Sequence, residues 1–286
     1  MISESFRFHV GNFECIAVSD GSLPVPEPAY KLLFKNAPLE LLRNVLDAQN
    51  IQLDQWVEVF NCLVISTGTN CVLIDTGLGI HDSAPNAGRL LRNLRDEGIE
   101  PNKIDTVIIS HAHGDHIGGN TDSERRAAFP QARYYIRKEE WVFWTSKTTL
   151  NKPEHEWMTE FVNKCLLPIQ DRFHFVEQDI EIVPGVKSLF APGNTPGNLA
   201  LVITSGSEQL IYFGDAILHH LNLEYPDWYG EPDCLPAQTV STRRCLLELA
   251  AHNHALIFAT HLDFPGLGYA QPQQGNWKWQ PIGDTK

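Results

Sequence analysis

Four side chains of the metal-binding type fall within six residues, in the run HAHGDH at positions 111–116. The run directly follows an apolar stretch, residues 106–110, which predicts a strand. In an extended backbone the first two histidines point to one side, and the glycine permits a turn that brings the aspartate and the last histidine to the same point. Imidazoles with a carboxylate suit zinc, with iron or manganese as alternatives. We therefore predict a metal site rather than a polar loop of unrelated histidines.

The net charge of the chain limits the kinds of binding partner that are expected. The chain has 286 residues and a formal charge of −13. Nucleic acids and anionic membranes are recognised by basic patches, so neither is expected as a partner. A strongly anionic substrate is also disfavoured, unless a bound metal dominates the local field. A small-molecule substrate is therefore predicted, and a homodimer is left open.

Two features of the chain indicate its compartment. Residues 1–5 lack the basic and apolar regions of a signal peptide, and no apolar run is long enough to span a bilayer. The six cysteines form no Cys-x-x-Cys pair, which favours reduced thiols that pack in the core. A cytoplasmic location is therefore expected.

Strand-like and helix-like segments alternate along the chain, which predicts an α/β fold with chemistry at the carboxyl ends of strands. Helical spacing is found at residues 38–48, 87–97, 138–144, 154–166 and 239–251, and strand patterns at residues 6–10, 14–18, 57–66, 71–74, 106–110, 132–136, 173–176, 199–204, 209–213 and 255–259.

Three further polar residues follow predicted strands, as one shared site would require. They are Asp75, Asp215 and His261. Each one alone is at least as typical of a turn or of structural packing as of a ligand.

Together these pieces resemble the metallo-β-lactamase superfamily. The matching segments are Asp75-Thr76-Gly77, HAHGDH at 111–116, APGNTPGN at 191–198, Gly214-Asp215 and Thr260-His261. The resemblance implies one domain, residues 1–286, that forms a four-layer αββα sandwich, with the metal-site core between about residues 60 and 265. The segments at 264–268 and 275–279 look like the branch that holds quorum-quenching lactonases and methyl parathion hydrolase.

The resemblance also implies roles for individual residues. His111 and His113 would bind a first metal ion, and Asp115, His116 and His261 a second one, with Asp215 bridging the two. Asp75 would orient a ligand imidazole from outside, as such partners usually do. One or two divalent ions are implied, zinc before manganese or iron.

The sequence departs from the family pattern at one loop. The family reads Pro-Gly-His-Thr-Pro-Gly-His, and its first histidine completes the first metal site. Here the two histidine positions are Asn194 and Asn198. An amide oxygen is a weak ligand for zinc, so Asn194 is a weak or lost ligand. Three outcomes stay open: two ions, one ion in the second site, or a degenerate site.

The resemblance predicts hydrolysis of a lactone, ester or similar bond by a metal-bound hydroxide, with Asp115 and Asp215 as catalytic residues. The main alternative is a non-catalytic binding or regulatory protein on the same scaffold. An iron redox enzyme with a flavin domain is disfavoured because the chain has no room for that domain. His219, His220 and Trp144 are predicted pocket residues, and further aromatic side chains that could form the walls are Trp141, Phe143, Tyr225, Trp228 and Tyr229. Ordinary packing is at least as good an explanation for each.

Overall fold

Two seven-stranded sheets dominate the protein, described here from a computed structural model that covers residues 4–25, 28–53, 56–81 and 84–283. The strands of the first sheet, in spatial order, are β1 (Ser5–Val10), β2 (Phe13–Pro24), β3 (Val57–Ser66), β4 (Cys71–Ile74), β5 (Thr106–Ile108), β6 (Arg133–Arg137) and β7 (Phe173–Val176). The second sheet runs from β14 (Asn276–Pro281) through β13 (Leu267–Gln273), β12 (Leu256–Phe258), β11 (Glu208–Tyr212), β10 (Leu199–Ser205) and β9 (Val186–Phe190) to β8 (Glu181–Val183).

The helices cover the outer faces of the sheets. They are α1 (Ala29–Phe34), α2 (Leu39–Gln49), α3 (Leu90–Asp96), α4 (Gly114–Ile117), α5 (Lys138–Thr145), α6 (Lys147–Leu150), α7 (Glu156–Phe161), α8 (Leu221–Glu224) and α9 (Pro236–His252). None of the described helices is long and apolar enough to cross a membrane.

Three apolar clusters lie between the successive layers of helices and sheets. One cluster joins the facing sides of the two sheets, with Leu63 and Ile74 from the first sheet and Leu201 and Tyr212 from the second. A second cluster packs helices on the outer face of the first sheet, and a third packs α9 on the outer face of the second. Because both faces of the central strands are covered, their sequences are almost continuously apolar. The predicted αββα sandwich is confirmed.

Some predicted elements differ from the structure. The helix expected at 154–166 is an α-helix only at Glu156–Phe161 and continues as a wider π-type turn over Val162–Leu166. The strands β8, β9, β13 and β14 were not predicted. All six cysteines are free, as expected, and Cys62 is buried in the core.

Candidate metal centre

The predicted ligands meet at one edge of the sandwich because of strand direction. In the first sheet β4 and β5 are parallel, and in the second sheet β11 and β12 are parallel. Parallel neighbours end at the same edge, so the loops that follow them are brought together. The groups after these four strands are Asp75, the 111–116 loop, Asp215 and His261.

The second metal position consists of Asp115, His116 and His261, whose ligand atoms all lie within 4.8 Å of one another. Asp115 Oδ2 is 3.3 Å from His116 Nε2 and 3.4 Å from His261 Nε2. Both histidines are buried, and one carboxylate with two imidazoles is a set of donors that zinc accepts. All the donors expected at this position are therefore present.

Asp215 lies between the two metal positions. Its Oδ2 is 3.5 Å from His111 Nε2, while its Oδ1 is 3.2 Å from both His116 Nε2 and His261 Nε2. His111, His116 and Asp215 form a second group whose ligand atoms lie within 4.8 Å of one another. This placement fits the bridging role that the family resemblance implies.

At the first metal position the structure brings His113 Nδ1 to 3.0 Å from His111 Nε2. The ring of His113 also packs against the rings of Trp144 and Trp157, with centroids 5.5 and 5.6 Å away. Burial, with His111 beside it, lowers the pKa of His113 to about 3. The imidazole is therefore neutral, the form that binds metal.

Several polar atoms of the cluster are buried without a hydrogen bond of normal geometry, a state that a bound cation would relieve. Within the described residues they include Asn194 Oδ1, and also His116 Nε2 and Asp215 Oδ1, which lie 3.2 Å from each other. Such atoms are rare in native proteins because each has lost its hydration without replacement. The donors are imidazole nitrogens and carboxylate or amide oxygens, so the residues present fit a divalent metal ion.

Asp75 holds the ring of His116 in place. Its Oδ2 accepts a hydrogen bond from His116 Nδ1 at 2.7 Å and another from the Tyr212 hydroxyl at 2.6 Å. The backbone N–H and the hydroxyl of Ser110 donate to the same carboxylate. With the proton on Nδ1, Nε2 of His116 is left as the ligand atom. Asp75 thus contacts the ring that the resemblance implies it would orient, and its role there stays a prediction.

Charges inside the cluster are mutually stabilised. Burial alone would lower the pKa of His261, but the neighbouring carboxylates, Asp215 first, raise it to about 10. Conversely, burial would raise the pKa of Asp215, but His261, His116 and His111 hold it well below its usual range. The carboxylate is therefore ionised and ready to bind a cation.

The two asparagines of the 191–198 loop play different parts. Asn198 Nδ2 donates to Ala191 O at 2.8 Å, and the Ala191 N–H donates to Asn198 O at 2.9 Å, so this residue closes the base of the loop. Asn194 is 2% exposed, and its Nδ2 donates to Asp233 Oδ1 at 3.4 Å. Among the described residues the Oδ1 atoms of both asparagines are buried without a hydrogen-bond partner, so the two differ in what holds Nδ2: a carboxylate for Asn194 and the backbone of its own loop for Asn198.

A buried carboxylate that was not predicted from the sequence, Glu140, connects two of the loops. Its Oε1 accepts from the Ala112 N–H at 2.8 Å and from the Trp144 indole at 2.9 Å, and its Oε2 accepts from the Gly197 N–H at 3.0 Å. Glu140 thus fixes the histidine loop against the Asn194 loop. Nothing in its surroundings, Lys138-Glu139-Glu140, distinguishes it from a surface glutamate.

Glu58 was also missed. Its Oε1 lies 3.8 Å from His261 Nδ1, which itself is 3.0 Å from Val59 O. Burial, the largest cause, raises the pKa of Glu58 to about 7, although His261 acts against that rise. The segment at the start of β3 therefore supports the second metal position.

A cavity of about 640 Å³ lies beside the first metal position and includes His113 in its wall. Apolar side chains form much of this wall: Leu32, Phe143, Trp144, Trp157, Pro196 and Leu235. Trp144, predicted as a pocket residue, is among them. The cavity has the size and the lining of a small-molecule site.

The other predicted pocket residues pack among aromatic rings. The ring centroid of His219 lies 4.9 Å from that of Trp56, 5.2 Å from that of Phe34 and 4.1 Å from that of His220. Tyr225 stacks on Trp228 at 4.1 Å. Substrate contact by His219 and His220 stays a prediction.

Trp141 packs against Phe173 and Phe175, with ring centroids 5.0 and 5.5 Å away. This side chain therefore packs against the apolar core beside the first sheet, which is the ordinary packing that was the alternative to a place in the pocket wall.

Comparisons with known proteins agree with this geometry. The model of the metallo-beta-lactamase superfamily matches residues 58–261. An N-acyl homoserine lactonase of Bacillus thuringiensis is 26% identical over 219 residues, which cover 70% of this chain and 80% of that protein.

Two solved structures are similar over their whole length. One is AidC, a dizinc quorum-quenching lactonase in complex with a product, with a TM-score of 0.89 and 27% identity over 100% of this chain and 99% of that one. The other is the hydrolase AbOPH, with a TM-score of 0.87 and 25% identity over 100% of both chains. These relatives confirm the prediction of a hydrolytic enzyme. The chain belongs to the metallo-beta-lactamase superfamily.

Proposed function

We propose that the protein opens lactones that carry an apolar acyl chain, such as N-acyl homoserine lactones, with divalent ions at two unequal positions. The observation that carries this proposal is the cavity of about 640 Å³, whose wall contains both His113 and apolar side chains. A polar reacting group would lie at the donors while an acyl chain packs along the wall. Lactonases among the relatives support the choice of substrate.

The donors would divide between two ions, most naturally zinc. Asp115, His116 and His261 would hold the second ion, and His111, His113 and the oxygen of Asn194 the first, with Asp215 shared. When bound, such ions act as Lewis acids toward a water molecule and toward the scissile carbonyl group. The weak oxygen donor makes the first position the weaker one.

The side chains of this protein would position and move protons. Asp75 keeps the Nδ1 proton of His116 fixed, so that the ring stays oriented. Asp115 has a side chain that is 18% exposed, against 5% for Asp215, and so is the carboxylate within reach of a substrate. It would receive a proton of the attacking water and pass it to the alkoxide when the ring C–O bond breaks. The product is the open hydroxy acid.

The charges around Asp115 favour release of a proton that this carboxylate has received. Burial would raise the pKa of Asp115, but His116 and His261 hold it below its usual range. A weakly basic carboxylate gives the proton up readily to an alkoxide, which is a far stronger base.

The test is hydrolysis by the zinc-loaded protein of three substrates: N-hexanoyl homoserine lactone, a β-lactam and an aryl phosphotriester. We expect lactone opening to be fastest, with kcat/KM rising as the acyl chain is lengthened. If only the phosphotriester were hydrolysed, the substrate class would be phosphotriesters and not lactones. No turnover of any substrate with zinc or manganese would favour the non-catalytic alternative and overturn the proposal.

A further inference from the structure

The amide of Asn194 has one end that is satisfied and one that is not. The side chain is 2% exposed, and its Nδ2 donates to Asp233 Oδ1 at 3.4 Å. Its Oδ1 has no hydrogen-bond partner among the residues that the structure describes. The Oδ1 of Asn198 in the same loop is in the same state. A buried acceptor without a partner is rare, and a bound cation is one group that would satisfy it.

The loop that carries Asn194 is fastened to the histidine loop. The Leu199 N–H donates to Ser110 O at 2.8 Å. Glu140 accepts from the backbone of both loops, and Pro196 lines the same cavity as His113. The loop of Asn194 therefore lies beside the loop that carries His111 and His113.

Asp233 itself is fixed. Its Oδ2 accepts from the Gly230 N–H at 2.8 Å, and its Oδ1 accepts from the Thr239 hydroxyl at 3.0 Å. Two backbone hydrogen bonds hold the following residues to the loop, from Cys234 N to Asn194 O and from Leu235 N to Gly193 O, both at 2.8 Å. Asp233 thus presents a rigid carboxylate to the amide of Asn194.

We infer that Asp233 is a positioning residue that selects the oxygen of Asn194 as the ligand atom of the first metal position. Both oxygens of Asp233 accept hydrogen bonds, from the Gly230 N–H and from the Thr239 hydroxyl, so the amide of Asn194 turns its NH2 group toward Asp233 and its oxygen away from it. In the reverse orientation the oxygen of Asn194 would face an oxygen of Asp233, so that two acceptors would meet. The NH2 group, which does not bind metal, would then face the cation. The inference rests on the two-ion site proposed above.

The variant Asp233→Asn tests this orientation with little change of shape. The new side chain keeps its oxygen toward the Gly230 N–H, because that backbone donor is fixed, and so places NH2 toward Asn194. The amide of Asn194 then flips to accept, and its own NH2 faces the metal position. We expect zinc affinity at the weaker position to fall about 10–100-fold, as for other orienting partners, while the tighter position is unchanged.

A rescue variant and a control separate orientation from general damage. In Asn194→Asp combined with Asp233→Asn, the amide and the carboxylate are exchanged, so that an oxygen faces the cation again. We expect the affinity of the weaker position to return. The control is Thr242→Val, which removes the hydrogen bond from α9 to Pro192 O in the same loop without touching Asp233. It should keep the zinc affinity of the unaltered protein.

The readout is zinc per chain after dialysis, with chelator competition for each affinity, so no activity is needed. Equal affinities in the unaltered protein and in Asp233→Asn would overturn the inference. Equal losses in Asp233→Asn and Thr242→Val, or no recovery in the exchanged pair, would also overturn it. A protein that binds two ions as described but opens no lactone would sink the proposed function and leave this inference standing.

Discussion

The two metal positions share one scaffold and differ in one donor. The second position has a carboxylate and two imidazoles, Asp115, His116 and His261, within 4.8 Å of one another. The first position, as proposed, has two imidazoles, those of His111 and His113, and the amide oxygen of Asn194 as its third donor. The loop around Asn194 keeps its shape through hydrogen bonds between Ala191 and Asn198 and between Gly193 and Thr195. The shape of the loop is therefore kept although its donor has changed, and in the proposed two-ion site this donor would make the positions unequal.

The largest effect is expected when a ligand of the second metal position is removed. His116→Ala removes a ligand of the second position that also contacts Asp215. Loss of an orienting partner alone costs 10–100-fold in metal affinity or activity, so loss of a ligand should lower lactone hydrolysis by more than about 100-fold. The assay is kcat/KM with zinc added. The exposed His252→Ala serves as a control, and equal activity of the two variants would refute the assignment of His116.

Repairing the incomplete position should have a smaller effect of opposite sign. Asn194→His restores a nitrogen donor, which binds zinc more strongly than an amide oxygen. We expect the weaker affinity to rise by at least about tenfold, which is about 1.4 kcal/mol. Chelator competition measures the change. An unchanged weaker affinity would mean that Asn194 does not limit the first position.

The connection between the two positions is tested at Glu140. In Glu140→Gln one carboxylate oxygen becomes NH2, and at least one of the three N–H groups that it serves loses its acceptor. The free energy of unfolding should fall by about 1–3 kcal/mol. Urea unfolding of the zinc-free protein measures it. The control Glu248→Gln, at an exposed position of α9, should stay within about 0.5 kcal/mol, and a similar loss in both variants would contradict the connecting role.

The smallest effect is expected away from both positions, at His219. Burial, then His220, lowers its pKa well below the usual value. Because the unfolded chain takes up a proton near pH 6.5 and the folded chain does not, stability is full above that pH and is lost as the pH falls, by at most about 1.4 kcal/mol per pH unit.

Zinc-free protein unfolded in urea at pH 7.5 and 5.5 tests this, with His219→Gln for comparison. The variant should lose less stability on acidification than the unaltered chain. The same acid sensitivity in both would show that the buried imidazole is not its source.

The sequence predicted those parts of the site that strand ends determine. Apolar runs such as 71–74 and 106–110 are buried on both faces in the sandwich, and the polar residues that follow them necessarily fall at one edge. For this reason Asp75, the 111–116 loop, Asp215 and His261 could all be placed together before the fold was known.

The missed elements lack such signals. The hairpin of β8 and β9 is short and turns at Pro184-Gly185, and β13 and β14 carry Gln, Lys and Pro where an apolar alternation would be expected. Glu140 accepts from backbone N–H groups, and Asp233 from the side chain of Asn194, that only the folded chain brings near. Their roles depend on contacts between distant segments, and no local pattern records those contacts.

The most direct test of the inequality between the two positions is a calorimetric titration of the zinc-free protein with zinc. We expect two binding events, one ion each, with dissociation constants that differ by about tenfold or more, because an amide oxygen stands where the family has a nitrogen donor. Two events of equal affinity, or no binding of zinc, would contradict it.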